Sequence, residues 1–137
     1  MFTLTLVTPE KKILVDAEVD EVIVNGSRGG LDILPGHAPL MTTLQPGVLR
    51  FKPKNSSKYT KAALSWGYCE VNPKGINILA ETCEMPQEID SQRAKLALET
   101  ASKRLKEAGL APEEYMNLQK KIDKAQVRIS LADKNQN

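Results

Sequence analysis

The chain has one histidine, and its surroundings decide whether acid–base chemistry is open to this protein. His37 lies within the segment Pro35–Pro39, between two prolines and after a glycine. A serine triad needs such an imidazole beside a carboxylate, which Glu70 or Asp32 could supply. No GxSxG segment accompanies them. We therefore predict that His37 shapes a tight turn by local hydrogen bonding, and we keep an enzyme that uses His37 as an alternative for which the residues suggest no substrate.

Motifs for binding metals, phosphates and nucleic acids are missing from the sequence. The two cysteines, Cys69 and Cys83, are isolated and form no CxxC pair, which favours half-buried thiols over a zinc site or a disulfide scaffold. Neither GxxxxGK[ST] nor GxGxxG occurs. One Trp, three Tyr and two Phe are too few to stack nucleic-acid bases along basic strands. The residues thus predict a binding or structural protein without metal or nucleic acid.

Residues 1–86 have the pattern of an all-β domain. Apolar residues alternate with polar ones from Phe2 to Leu6, and Val22–Val24 is a β-branched run that ends at a glycine-containing turn. Asn72–Gly75 separates two further alternating runs and predicts a hairpin. Recurring turns with no helix between them predict a β-sandwich of about ten short strands.

Residues 87–137 have the pattern of an antiparallel two-helix hairpin. Asp90 is a good N-cap, Gly109 is expected to end the first helix in the left-handed conformation, and Pro112 suits the start of the second. Apolar residues recur at helical spacing, and they are Ala94, Leu98, Ala101, Leu105 and Ala108, then Tyr115, Leu118, Ile122, Ala125, Ile129 and Ala132. The alanine-rich first stripe predicts a thin seam that opens easily. Together the two parts predict an α+β protein.

Hydropathy and charge bear on where the protein works. The N-terminus lacks a basic start and a small-residue cleavage site, and no run of about 18 apolar residues occurs, which leads us to expect a cytoplasmic protein. Lysine and arginine outnumber aspartate and glutamate after residue 88 but not before it. On charge alone, this excess favours a solvated helical face, with an acidic partner surface or an anionic ligand as the alternative.

Several segments, in order, resemble the epsilon subunits of F-type ATP synthases. The most specific places proline, glycine, histidine and proline in a fixed pattern before a second Pro-Gly. The segments are Val7–Glu10, Gly30–Leu40 continuing through Thr42–Gly47, Gly67–Val71 with Ile78–Thr82, and Ile89–Ala94. Arg28 and Gly30 stand where the family commonly has acidic residues, and Trp66 where it usually has glycine.

The resemblance implies a non-catalytic rotor subunit of the central stalk in a proton-translocating ATP synthase. Residues 1–86 would bind the gamma subunit and the c-ring, through a region comprising Leu31, Pro35, Gly36, His37, Ala38 and Pro39. Association with the membrane would occur only through the complex, at the cytoplasmic face of the bacterial inner or plasma membrane.

The resemblance also implies that residues 87–137 restrain the motor. The hairpin would inhibit ATP hydrolysis by approaching the catalytic beta subunit and its alpha neighbour. The basic residues expected to meet an acidic segment of the beta subunit are Arg93, Lys103, Arg104, Lys120, Lys121, Lys124 and Arg128. An exposed helix also carries such residues for solubility alone.

Some members of the family bind ATP as a regulatory ligand in this hairpin, although no cofactor is required. The matching positions are Glu84, Ile89, Asp90, Arg93, Ala94, Lys124 and Arg128. Lys124 and Thr100 stand where arginines are expected, and lysine lacks the planar fork with which arginine holds phosphate. Asp90 is equally explained as an N-cap. Because some family members bind ATP in this hairpin, a free-standing nucleotide-sensing module of the same shape is kept as an alternative function.

Overall fold

A computed structural model describes residues 2–135 and divides the chain into two compact units, Met1–Glu84 and Met85–Asn137. The first unit is made of strands and the second of helices. The predicted α+β class, a β-sandwich followed by a helical hairpin, is confirmed. The sequence placed the change after residue 86, close to this division.

Nine strands are assigned in the part of the first unit that the structure describes. They are β1 Thr3–Val7, β2 Lys12–Gly26, β3 Gly29–Ile33, β4 Leu40–Leu44, β5 Gly47–Pro53, β6 Thr60–Leu64, β7 Gly67–Asn72, β8 Gly75–Ala80 and β9 Cys83–Glu84. The strand order is β1-β8-β7-β4-β2-β5-β6-β9, with β3 beside β2, and β1 also pairs with β2. The β1–β8 pair is parallel.

Strand β2 corrects the expectation that every strand is short, since it runs for 15 residues. Its first half pairs with β1 and its second half with β3 and β5. Three steps along β2, from Ala17 to Leu14, match two steps along β1, and the extra residue makes a bulge there. Asp16 adopts a φ of 50° at this point, and its backbone N–H donates to the Thr5 hydroxyl at 3.0 Å. The bulge bends β2, so that one strand pairs with β1 in its first half and with β3 and β5 in its second.

The core of the first unit follows the two-residue period of its strands. Alternate residues of β1, β2, β5, β7 and β8 are buried while their neighbours face outward. Among the largest fully buried side chains are Leu4, Leu6, Val22, Leu49, Val71, Ile76 and Ile78. The Asn72–Gly75 hairpin is confirmed, with Asn72 paired to Gly75.

The second unit contains a short 3-10 helix, Pro86–Glu88, followed by α1, Ser91–Leu105, and α2, Pro112–Asn135. Asp90 caps α1 as predicted, since its carboxylate accepts from the Arg93 N–H at 3.1 Å. The expected end of α1 at Gly109 is wrong. A tighter turn after Leu105, in which Lys106 N–H donates to Lys103 O, ends the helix first. Gly109 does have a positive φ, 82°, but within the connection.

The seam between α1 and α2 is thin. Ala101, Leu118 and Ile122 are buried, and Leu98, Leu105 and Leu110 pack against them. Tyr115, predicted to belong to this stripe, is instead 51% exposed. The described helices include none with the length and hydropathy needed to cross a bilayer.

Candidate interaction surfaces

The Leu34–His37 turn positions the only histidine. His37 N–H donates to the Leu34 carbonyl at 3.1 Å, Pro35 fits the second position, and Gly36 at the third has a φ of 88°, as in a type II turn. The His37 Nδ1 lies 2.7 Å from the Ala38 carbonyl, and because a carbonyl only accepts, Nδ1 carries the proton. The predicted turn-forming role is confirmed.

The expected partner-contact region lies on β3 and the loop that follows it. Pro35, Gly36, Ala38 and Pro39 are exposed, and Leu31 and His37 are half-buried. Leu34, within the same loop, is 51% exposed. No hydrogen bond within residues 2–135 joins His37 to a carboxylate, so the enzyme alternative gains no geometric support.

An apolar row lies on the outer face of the neighbouring strands, and sequence reasoning missed it. Tyr68 on β7 pairs directly with Leu79 on β8, and Met41 on β4 faces the same side next to them, one pair along from Thr43–Tyr68. Met41 is 67%, Tyr68 58% and Leu79 46% exposed. We call Met41, Tyr68 and Leu79 the outer apolar row. Outward positions of a solvated strand are usually polar, which is the signal that could have revealed it.

A pocket of about 350 Å³ opens beside one end of this row. The β2–β3 turn forms one side of it and β4 the other. Its lining residues are Gly26, Ser27, Arg28, Gly29, Leu31, Leu40, Met41, Thr42 and Thr43. We call it the turn pocket. Its lining combines one cation, three hydroxyl side chains and three large apolar side chains.

A polar cluster on β2, β3 and β5 holds the carboxylates that enzyme chemistry would need. The Tyr59 hydroxyl donates to Glu21, and Lys52 Nζ lies 3.8 Å from Glu21 Oε1. The hydrogen bond with Glu21, then partial burial, raises the pKa of Asp32. The pKa of Glu21 is lowered, first by its hydrogen bond with Asp32 and then by its hydrogen bond with Tyr59. These contacts link Glu21 on β2 with Asp32 on β3 and Lys52 on β5, which indicates a structural role for the cluster.

The two cysteines are buried, more deeply than the half-buried thiols predicted from the sequence. Burial raises the pKa of the Cys69 thiol to about 11, so the nucleophilic thiolate is scarce at neutral pH. The residues described include no group of His, Cys, Asp and Glu that could hold a metal ion.

A second pocket, of about 370 Å³, lies between α1 and α2. It is mostly apolar, with three cations at its edge. Its lining residues are Arg93, Leu96, Ala97, Thr100, Ala101, Arg104, Leu118 and Lys121. We call it the interhelix groove. Arg93, Ala97, Thr100 and Arg104 follow one another at helical spacing, which brings them onto one face of α1.

The groove gathers only part of the basic set expected from the sequence. Arg93, Arg104 and Lys121 line it, whereas Lys103, Lys120, Lys124 and Arg128 do not. Lys103 pairs with Glu99 at 3.0 Å, and Arg104 pairs with Glu114 at 3.9 Å. Both pairs are largely exposed and contribute little to stability.

The positions expected to contact ATP are spread over several elements. Glu84 belongs to β9 in the first unit. In the second unit, Asp90 and Arg93 are exposed at the start of α1, and Ile89 just before it is half-buried. Ala94 is fully buried, so its side chain fills space within the fold. Lys124 and Arg128 are half-buried on α2.

Comparison with known proteins identifies the family. Residues 1–86 match the family described as ATP synthase, delta/epsilon chain, beta-sandwich domain. The chain belongs to this family. It is 46% identical over 130 residues to the ATP synthase epsilon chain of Bdellovibrio bacteriovorus, covering 95% of this chain and 93% of that one. It is 44% identical over 129 residues to epsilon chain 1 of Syntrophotalea carbinolica, covering 94% and 91%.

A solved structure supports the same fold for this epsilon-type chain. A chain in the Euglena gracilis mitochondrial ATP synthase structure, which contains OSCP, F1 and the c-ring, superposes with a TM-score of 0.84. The identity is 21%, and the match covers 96% of this chain and 80% of that one. The predicted resemblance to epsilon subunits is confirmed, and an epsilon chain is a non-catalytic subunit of ATP synthase.

Proposed function

We propose that this epsilon-type chain is a rotor component in the central stalk of an F-type, proton-translocating ATP synthase. The single observation that carries the proposal, given the family, is the outer apolar row of Met41, Tyr68 and Leu79. Exposed apolar side chains from three neighbouring strands mark a surface that another protein covers. The gamma subunit is the partner that we assign to this face.

We call the first unit, Met1–Glu84, the head. The loop after β3 is the second surface of the head to which we assign a partner. Its turn is fixed by the Leu34–His37 hydrogen bond and the proline before Gly36, so little conformational entropy is lost when a partner binds. We assign the c-ring to this loop. The c-ring would bring the protein to the cytoplasmic face of the bacterial membrane as a peripheral subunit, since the chain itself binds the membrane only through the complex.

The helical hairpin is proposed to inhibit ATP hydrolysis by reaching the catalytic beta and alpha subunits. The thin seam of Ala101, Leu118 and Ile122 supports a hairpin that rearranges at low cost. Exposed cations on both helices, among them Arg93, Lys103 and Lys121, suit an acidic partner surface.

ATP is proposed as a weak regulatory ligand of the same hairpin. Arg93, Arg104 and Lys121 border the interhelix groove, and cations beside an apolar cleft suit a phosphate chain attached to a base. The Asp90 carboxylate is engaged as the helix cap, and Thr100 offers no charge. These features support weak binding, which would stabilise the closed hairpin by mass action.

Deleting residues 89–137 should raise ATP hydrolysis by the reconstituted complex at low ATP. We expect an increase of at least about 5-fold, the lower end of a typical regulatory coupling. With rising ATP, the full-length complex should approach the activity of the truncated one, because the ligand holds the hairpin closed. The measurement is steady-state hydrolysis as a function of ATP concentration, with equal incorporation of both chains verified by gel densitometry.

Lys58→Ala, at an exposed turn of the head, serves as a control and should leave hydrolysis unchanged. Equal activity of truncated and full-length complexes at every ATP concentration would remove the inhibitory role. A constant difference between them would remove only the role of ATP. ATP binding by a chain that joins no ATP synthase would favour the free-standing nucleotide sensor.

A further inference from the structure

The turn between β2 and β3 holds a guanidinium group beside a pocket. Gly26 pairs with Gly29, which leaves Ser27 and Arg28 at the tip. Gly29 has a φ of 119°, which favours glycine. Ser27 N–H donates to the Thr43 carbonyl at 2.9 Å, so the turn is tied to β4. Arg28, at the tip of this turn, belongs to the lining of the turn pocket.

Arg28 has no acidic partner in the part of the chain that the structure describes. None of the ion pairs formed by residues 2–135 includes it, and the lining of the turn pocket contains no aspartate or glutamate. Lys52 pairs with Glu21 and Lys54 with Glu18, whereas, within residues 2–135, Arg28 shares the lack of an ion pair with exposed lysines such as Lys58. Its place in the lining of an open pocket distinguishes Arg28 from those lysines.

The remaining lining defines the chemistry that would fit. Ser27 and Thr43 bring hydroxyl side chains to the same lining as Arg28, while Leu40 and Met41 bring apolar ones. A guanidinium presents parallel N–H donors that match the two oxygens of a carboxylate. The combination fits a carboxylate on a short aliphatic stem, which is the side chain of aspartate or glutamate.

The position of Met41 indicates where that carboxylate comes from. Met41 lines the turn pocket and also belongs to the outer apolar row, so a protein that covers the row also covers the mouth of the pocket. Covering an unpaired guanidinium removes its hydration and is unfavourable unless the partner supplies the opposite charge. We propose that the turn pocket receives an aspartate or glutamate side chain from the gamma subunit, the partner assigned to the outer apolar row, and that this acid pairs with Arg28.

This inference rests on the proposed docking of the head, and charge variants test it. Full-length Arg28→Glu and Arg28→Gln chains are titrated onto ATP synthase membranes stripped of their epsilon chain. We expect Arg28→Glu to bind at least about 10-fold more weakly than the unaltered chain, with Arg28→Gln between them. Lys58→Glu makes the same charge change at an exposed turn between β5 and β6, away from the pocket lining, and should stay within about 2-fold.

A chemical cross-link identifies the acidic residue that pairs with Arg28. In an Arg28→Lys chain, a carbodiimide converts a nearby carboxylate to an O-acylisourea, the lysine amine attacks its carbonyl carbon, and an amide bond forms as the urea derived from the carbodiimide leaves. Mass spectrometry should find Lys at position 28 joined to an Asp or Glu of the docked subunit.

The outcomes separate the two proposals. If the unaltered chain does not bind the stripped membranes, the proposed function fails. If it binds, and Arg28→Glu binds as well as Lys58→Glu or no cross-link forms at position 28, the carboxylate proposal alone is overturned. Binding of the unaltered chain to phosphatidylglycerol vesicles that is lost in Arg28→Glu would also overturn it, because the pocket would then take a lipid phosphate.

Discussion

Leu79→Glu should weaken binding of the chain to the partner that covers the outer apolar row by at least about 30-fold, corresponding to about 2 kcal/mol at the centre of an interface. Leu79 lies between exposed neighbours and directly opposite Tyr68. A carboxylate placed there would have to lose its hydration without a partner when the interface forms. The dissociation constant for a gamma-containing complex, measured by titration of labelled chain, checks the prediction.

Asn77→Glu provides the matched control for this substitution. Asn77 lies on the same strand, two residues before Leu79, and is also exposed. The variant adds the same charge to the same face but removes no apolar contact. Because Asn77 pairs with Glu70, the added carboxylate meets a like charge across the strands, so the melting temperatures of both free variants are measured as well. We expect a loss of binding of at most about 3-fold. Equal losses in both variants would mean that charge repulsion, and not the outer apolar row, governs docking.

Gly67→Ala should destabilise the head by about 3 kcal/mol or more, because it forces atoms together inside a β-ladder. A Cβ atom at Gly67 would lie 2.0 Å from the Leu79 carbonyl oxygen and 2.8 Å from the Ala80 Cα. Those atoms are backbone of β8, which cannot move without disturbing the pairing of β7 with β8. The melting temperature should fall by roughly 12 °C or more for a unit of this size.

Fluorescence of Trp66, the single tryptophan, reports on unfolding of the head separately from the hairpin. Gly30→Ala is the control, because a Cβ at Gly30 would meet nothing within 4 Å. The free energy of unfolding of Gly30→Ala should stay within about 1 kcal/mol of the unaltered protein, because alanine restricts the unfolded chain and so acts in the stabilising direction. If Gly67→Ala melted at the same temperature as Gly30→Ala, the β8 backbone would have moved to accommodate the Cβ atom, and the predicted clash would be wrong.

Local patterns in the sequence predicted the features that depend on nearby residues. The strand-to-helix order follows from a change of period, and the Leu34–His37 turn from proline and glycine at the positions that a type II turn favours. The Asp90 cap is likewise a contact with a residue three positions away. Such features need no knowledge of the rest of the fold.

Features that depend on distant residues were not predictable in this way. Tyr68 and Leu79 are ordinary strand residues, and only the pairing of β7 with β8 shows them side by side on an outer face. Asp16, Glu18 and Asp20 alternate with apolar residues as a strand requires, but the consecutive acids Asp20 and Glu21 shift the phase of the alternation before Val22. The pairing of β2 with β5 shifts register at the same point, and this change of phase hid the length of β2. The sequence also could not show that three of seven cations share the interhelix groove, since α1 and α2 contribute to it together.

The central claim, that this chain is a stalk subunit of an ATP synthase, is tested most directly by its partners in the cell. An affinity-tagged full-length chain, expressed at its native level, is purified from detergent-solubilised membranes, and the co-purifying proteins are identified by mass spectrometry. We expect to recover the gamma, alpha, beta and c subunits, with one tagged chain for each gamma subunit. Recovery of the tagged chain without gamma, from membranes in which gamma is present, would contradict it.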